Sequence, residues 1–83
     1  MDIEQQISQF LIDNRKWSGS ASALTTDLHL IENDVLDSMG IFETISFIQD
    51  RFGIEVDDDD LVPENFETVA AIARLVSKRN PEK

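Results

Sequence analysis

The chain has 83 residues, 41% of them hydrophobic and 29% charged, with no cysteine, one histidine and a formal net charge of −10. This length makes one small domain, residues 1–83, and a domain this small buries only about 60% of its unfolded surface, too little for an enclosed catalytic cleft with its own supporting shell. The composition excludes disulfides, thiolate metal sites and histidine-pair metal sites, and its acidity repels a phosphate backbone or an anionic membrane while attracting a basic protein.

Residues 3–14 have the spacing of an amphipathic helix, with Ile3, Ile7, Phe10 and Leu11 on one face and Asp2 placed to cap it. Trp17 follows, and the small residues Ser18 to Ser22 end the helix. Residues 18–37 form a long connection containing Leu24, Leu28, Leu30, Ile31, Val35 and Leu36. It is too apolar for a free linker and is expected to be an ordered loop pinned over the core, with a short turn capped by Thr25 or Thr26.

A second helix is predicted over 38–52, its stripe running Met39, Phe42, Ile45, Ile48, Phe52 and widened by Ile41, with Gly53 as the stop signal. After an extended link at Ile54–Val56, Asp57 is placed to cap a short third helix over 58–62. Asp58, Asp59 and Asp60 then meet the positive end of its dipole, and Pro63 ends it. Asn65 is expected to cap a last helix over 66–79, with Phe66, Val69, Ile72, Ala73 and Val76 inward and Arg74, Lys78 and Arg79 near the negative end. Residues 80–83 read as a frayed tail. The sum is all-α: four helices, the third short, with a long first loop that departs from a simple up-down bundle.

From Asp27 to Glu67 there are thirteen acids and a single base, Arg51. Such a stretch serves either as a solvated face or as a docking surface for a basic partner. No apolar run is long enough to span a membrane, and Met1-Asp2-Ile3-Glu4 lacks the basic start and apolar stretch of a signal peptide. A cytoplasmic monomer is the simplest expectation.

Chemistry is concentrated in Leu36-Asp37-Ser38-Met39-Gly40, where the long loop meets the second helix. Asp37 can cap that helix, which puts the Ser38 hydroxyl on its first exposed turn. A phosphate on that oxygen would sit among unpaired N–H groups at the positive end of the helix. The same residues also suit an ordinary helix start, so both roles stand open from them alone.

The Asp-Ser-Met-Gly turn resembles the attachment site of acyl carrier proteins. Ile31-Glu32-Asn33-Asp34-Val35-Leu36 resembles the approach to that site. Phe42-Glu43 and Asp50-Arg51-Phe52-Gly53-Ile54-Glu55-Val56 resemble the second helix and its exit, and Phe66-Glu67-Thr68-Val69-Ala70-Ala71-Ile72 the start of the last helix. The likeness covers about residues 3–79, and the four-helix order is the family's own.

The resemblance implies that Ser38 is esterified with 4'-phosphopantetheine from coenzyme A by a phosphopantetheinyl transferase. Asp37 would assist that transferase near its magnesium ion. The thiol of the arm would carry an acyl group as a thioester. The protein itself would catalyse nothing. An acyl- or aminoacyl-loading ligase and downstream transferases or synthases would read the acidic second helix with basic surfaces. Glu43 and Asp50, seven residues apart on one helical face, are the expected partner contacts. Met39 and Phe42, one turn from Ser38, either touch the arm or a partner or pack in the core.

Some positions depart from the commonest fatty-acid pattern. Gly40 and Gln49 stand where acids are usual, and Phe42 and Phe47 where smaller residues are frequent. Ser-Met-Gly after the aspartate also resembles the D-alanyl carrier proteins. These features favour a short, polar or aminoacyl cargo in a specialised pathway, with an aminoacyl or peptidyl carrier as the alternative. The rival of another class is an unmodified acidic helical adaptor for a basic partner. The run Asp57–Asp60 can attract a divalent cation weakly, but it lacks the spacing of a calcium-binding loop, so no metal site is assigned.

Overall fold

A computed structural model describes residues 2–79, and the tail expected at 80–83 lies outside the described residues. Three α-helices, α1 (Ile3–Asp13), α2 (Ser38–Phe52) and α3 (Val69–Arg79), are joined by segments carrying short 3₁₀ turns at Ala21–Ala23, Asp58–Asp60 and Pro63–Asn65. Among the described residues there is no strand, and no helix is long and apolar enough to cross a membrane. The fold class is therefore the expected all-helical bundle, with its third element reduced to 3₁₀ turns.

Local chemistry starts each helix. The Asp2 carboxylate accepts the Gln5 N–H at 2.7 Å, opening α1. α1 buries Ile7 and Leu11, and α3 buries Val69, Ile72 and Val76 among others. α1 packs on α3, and Ile48 of α2, Ile54 and Phe66 complete this core. α2 stops at Gly53, whose left-handed backbone (φ 65°) returns its N–H to the Gln49 carbonyl.

The long first loop belongs to the core. Leu24, Leu30, Val35 and Leu36 are all buried in it, each contributing about 1.5–3 kcal/mol of hydrophobic stabilisation. Two backbone bonds fasten the loop to the start of α3: Leu30 N–H to the Glu67 carbonyl at 2.7 Å, and Ala70 N–H to the Thr26 carbonyl at 3.0 Å. The loop carries a 3₁₀ turn at Ala21–Ala23 and a further turn at Thr25, whose carbonyl accepts the Leu28 N–H at 3.3 Å while its hydroxyl donates to Asp27 at 2.8 Å rather than capping the turn.

Three expectations need correction. The third helix expected over 58–62 is a pair of 3₁₀ turns, because Val62 is extended ahead of Pro63 (φ −122°, ψ 147°) and interrupts any helix there. Pro63 opens the second turn, where its missing N–H does no harm. The last helix starts at Val69, three residues later than expected. Asn65 does not cap it, since its side-chain amide donates to the Asp60 carbonyl at 2.8 Å. Thr68 takes that role, its hydroxyl accepting the Ala71 N–H at 3.0 Å. Finally, α2 is rotated relative to its apolar stripe. Its buried line is Gly40, Thr44 and Ile48, while Met39 and Phe42 are each 68% exposed. Core packing for Phe42 is thereby overturned.

Candidate functional site

Ser38 is the first residue of α2 and is exposed. The preceding turn aims it. Val35 and Leu36 both donate their N–H to the Leu30 carbonyl, at 2.8 and 3.1 Å, and Asp34 adopts a left-handed backbone (φ 60°). Burial of Val35 and Leu36 then fixes where the helix begins. The Asp37 carboxylate accepts the Gly40 N–H at 2.8 Å. The N–H groups of Ser38 and Met39 have no acceptor within the helix, as holds for any first turn. A phosphate on the Ser38 oxygen fits this setting: the hydroxyl is accessible, and both donors and the helix dipole favour an anion.

Gly40 explains its own identity. It is buried, and a Cβ there would meet Leu36 Cδ2 at 3.1 Å and the capping Asp37 Oδ1 at 3.3 Å. The position where a docking acid was expected points inward, so an acid there would offer no surface charge.

Ser38 lies on an open groove of about 510 Å³. Ile41, Phe42 and Ile45 of α2 line one side, and Leu61, Val62 and Pro63 the other. Leu61 and Val62 are 49% and 39% exposed, so with Phe42 they give the groove beside the serine an apolar rim, and Met39, next to Ser38 in the chain, is exposed as well. Sequence reasoning missed Leu61 and Val62; the available signal was an apolar pair between an acidic run and a proline.

The expected partner residues divide between two sides of α2. Phe42 lines the Ser38 groove. Glu43 and Asp50 line a separate groove of about 480 Å³ against α1, together with Phe10, Asp13 and Phe47. Phe47 stacks on Phe10 there, with ring centroids 4.3 Å apart. Of Phe42 and Phe47, only Phe42 therefore narrows the space beside Ser38. Glu43 is ion-paired with Lys16.

The acidic run Asp57–Asp60 is not a uniform solvated face. Asp60 is only 2% exposed. It takes the Arg79 Nε–H at 2.6 Å and the Asp57 N–H at 3.2 Å, with the Lys78 ammonium at 3.7 Å. Arg79 also reaches Asp57 at 3.2 Å. The hydrogen bond from Arg79 holds the Asp60 carboxyl below its ordinary value of 3.8 against the opposing effect of burial, and Asp60 in turn raises Arg79. This cluster ties the segment that carries Leu61 and Val62 to the end of α3.

The exposed serine stands at a capped helix start and opens on a groove lined mainly by apolar side chains, with Asp34 and Asp37 also on it. The sequence profile of the family described as "Phosphopantetheine attachment site" matches residues 20–76. The chain belongs to that family of carrier proteins, which bear phosphopantetheine and are not catalysts. An acyl carrier protein of Nitratidesulfovibrio vulgaris (strain DSM 19637 / Miyazaki F) is 33% identical over 60 residues, covering 72% of this chain and 76% of that protein. As a carrier, the chain has a phosphopantetheinyl transferase and the enzymes of its pathway as its class of partners.

Proposed function

We propose that the chain works as an acyl carrier protein in the cytoplasm, with Ser38 bearing the phosphopantetheine arm. The observation that carries this reading is the exposed Ser38 hydroxyl at the capped start of α2, on the edge of an apolar groove. The arm supplies a thiol on which an acyl group travels as a thioester. Asp37 orients the helix start for the transferase. Met39 and Phe42 give the arm and the partner an apolar rim, and Glu43 and Asp50 give the partner acidic contacts.

The groove supports a short acyl cargo in a specialised pathway, because Phe42 occupies part of its wall. A second cargo is favoured by a separate observation. Asp34 and Asp37 also line this groove, and their carboxylates would suit the ammonium of an aminoacyl group.

The test is intact mass before and after incubation with coenzyme A, magnesium and a broad-specificity phosphopantetheinyl transferase. One added phosphopantetheinyl group, absent in Ser38→Ala, is the expected result. Failure of several transferases to modify a demonstrably folded protein, or modification that persists in Ser38→Ala, would overturn the assignment. In the first case an unmodified adaptor becomes the better account. Loading the modified protein with acyl and amino acids by candidate ligases then separates the cargoes, and turnover with long-chain acyl groups alone would sink both short-cargo readings.

A further inference from the structure

The two acids on the proposed docking side of α2 are not equivalent. Asp50 makes no ion pair among the described residues, whereas Glu43 is already paired with Lys16. Lys16 is held in place by its backbone. At the end of α1 the chain turns through a left-handed Arg15 (φ 60°), and the N–H groups of Lys16 and Trp17 both bond to the Leu11 carbonyl, at 2.8 and 3.1 Å. The Lys16 side chain is only 24% exposed, while that of Glu43 is 49% exposed. A partner can therefore reach the Glu43 carboxylate, but finds it occupied.

We propose that Lys16 is a built-in competitor for the Glu43 carboxylate, so that a partner docks there by displacing it, and that the displacing group is an arginine. The proposal rests on the reading of Glu43 as a partner contact. Exchange of one ammonium for another leaves the number of charge pairs unchanged and gains little. A guanidinium gains by binding the carboxylate through two parallel N–H bonds, which an ammonium cannot match. Lys16 thus lowers the affinity of every basic partner alike and leaves a net gain only to a group that binds the carboxylate better than an ammonium does. An exposed pair of this kind is weak and screened by salt, so its removal shifts binding by a few-fold and mainly at low ionic strength.

The experiment measures kcat/KM for phosphopantetheine transfer to the purified full chain, in low and in high salt. The variants are Lys16→Met, Glu43→Gln and the double variant, with Arg74→Gln as a control. Arg74, exposed on α3, has no ion pair among the described residues, so this control makes the same change in net charge elsewhere. Lys16→Met is expected to raise kcat/KM about threefold above the Arg74→Gln control in low salt, through KM. Glu43→Gln should lower it, the double variant should match Glu43→Gln, and high salt should erase the differences. A Lys16→Met effect no larger than the control, alongside a loss in Glu43→Gln, would overturn the competitor role while leaving Glu43 as a contact. An unchanged Glu43→Gln would remove the contact and the proposal together. Absence of transfer to the unaltered chain would instead indict the assignment of Ser38, and the proposal would fall with it. On the transferase's side, replacing its docking arginine with lysine should weaken binding to the unaltered chain a few-fold, and binding that is undiminished by that exchange would overturn the preference for arginine.

Discussion

Along one side of α2, Ser38, Ile41, Phe42 and Ile45 share a groove with Leu61, Val62 and Pro63; along the other, Glu43, Phe47 and Asp50 share one with Phe10 and Asp13 of α1. The grooves are nearly equal in volume, about 510 and 480 Å³, but they are made differently. The Ser38 side is apolar at its rim, and its far wall is a non-helical segment tied to α3 by Asp60 and Arg79. The α1 side is closed by a stacked aromatic pair and a lysine–glutamate pair, between two regular helices. The candidate attachment serine thus faces the irregular wall, and Glu43 and Asp50 of α2 face the helical one. A wall of short turns with few backbone bonds to its neighbours is the kind of segment that opens locally at low cost.

Removing one phenylalanine from each side breaks this comparison most sharply. Phe66 is buried and also lines the Ser38 groove. Phe66→Ala should cost about 3–5 kcal/mol, a large share of the roughly 5–15 kcal/mol available to a small domain. Phe47 is half-buried and stacked on Phe10, so Phe47→Ala should cost about 2 kcal/mol. Urea unfolding of both variants checks the ratio. Equal losses would mean that the α1 side is core of the same quality.

Asp60→Asn should give the next largest loss at neutral pH, smaller than that of Phe66→Ala, because an amide oxygen still accepts a bond from Arg79. The pH dependence follows from the direction of the shift. Asp60 is held below its ordinary value of 3.8 in the folded chain. Its stabilisation is therefore fully present above that value and is lost as pH falls through the lower, folded one. Arg79 is raised and stays charged throughout, so it adds no change near neutrality. The gap in urea midpoint between the unaltered chain and Asp60→Asn should be constant from neutral pH down to the ordinary carboxylate range, then close as the pH falls below it. A gap that persists undiminished at the acid end would show that the lost stability is not that of the ionised pair. Amide exchange at Leu61 and Val62 should also quicken in Asp60→Asn, while exchange at Phe47 stays unchanged.

These two sides differ in how far the sequence foretells them. Features set by neighbours along the chain were legible: the caps at Asp2 and Asp37, the stop at Gly53, and the burial of Leu24, Leu30 and Leu36 in a loop too apolar to be free. Features set across space were not. Four consecutive aspartates carry no signal of which one is buried, and Asp60 is singled out by contacts that include Arg79 and Lys78, nineteen and eighteen residues away. The rotation of α2 was hidden because its buried line passes through Gly40 and Thr44, which no hydrophobic pattern marks, while Met39 and Phe42 supply apolar positions that face out. Lys16 on Glu43 was hidden for the same reason as Asp60. The serine and its cap were legible because a helix start is local; the groove beside it was not, because Leu61 and Val62 arrive there only through the fold.

The smallest expected effect is also the one that tests the helix start most closely. Alanine is favoured over glycine inside a helix by about 1 kcal/mol, so Gly40→Ala would be expected to stabilise α2 if nothing opposed it. The new methyl group would lie 3.1 Å from Leu36 Cδ2 and 3.3 Å from Asp37 Oδ1, tighter than ordinary contact, and Leu36 is buried and not free to yield. The Asp37 carboxylate is the neighbour free to yield, which weakens its bond to the residue 40 N–H, while the contact with Leu36 stays tight. A cap of this kind is worth about 1 kcal/mol. The two effects should cancel, leaving the urea midpoint nearly unchanged. The cost should appear in function instead: a displaced Asp37 lowers the rate of phosphopantetheine transfer to Ser38 a few-fold while the fold stays intact. A variant stabilised by the full helix-propensity gain, and modified as fast as the unaltered chain, would mean that glycine at this position protects neither the cap nor the serine beside it.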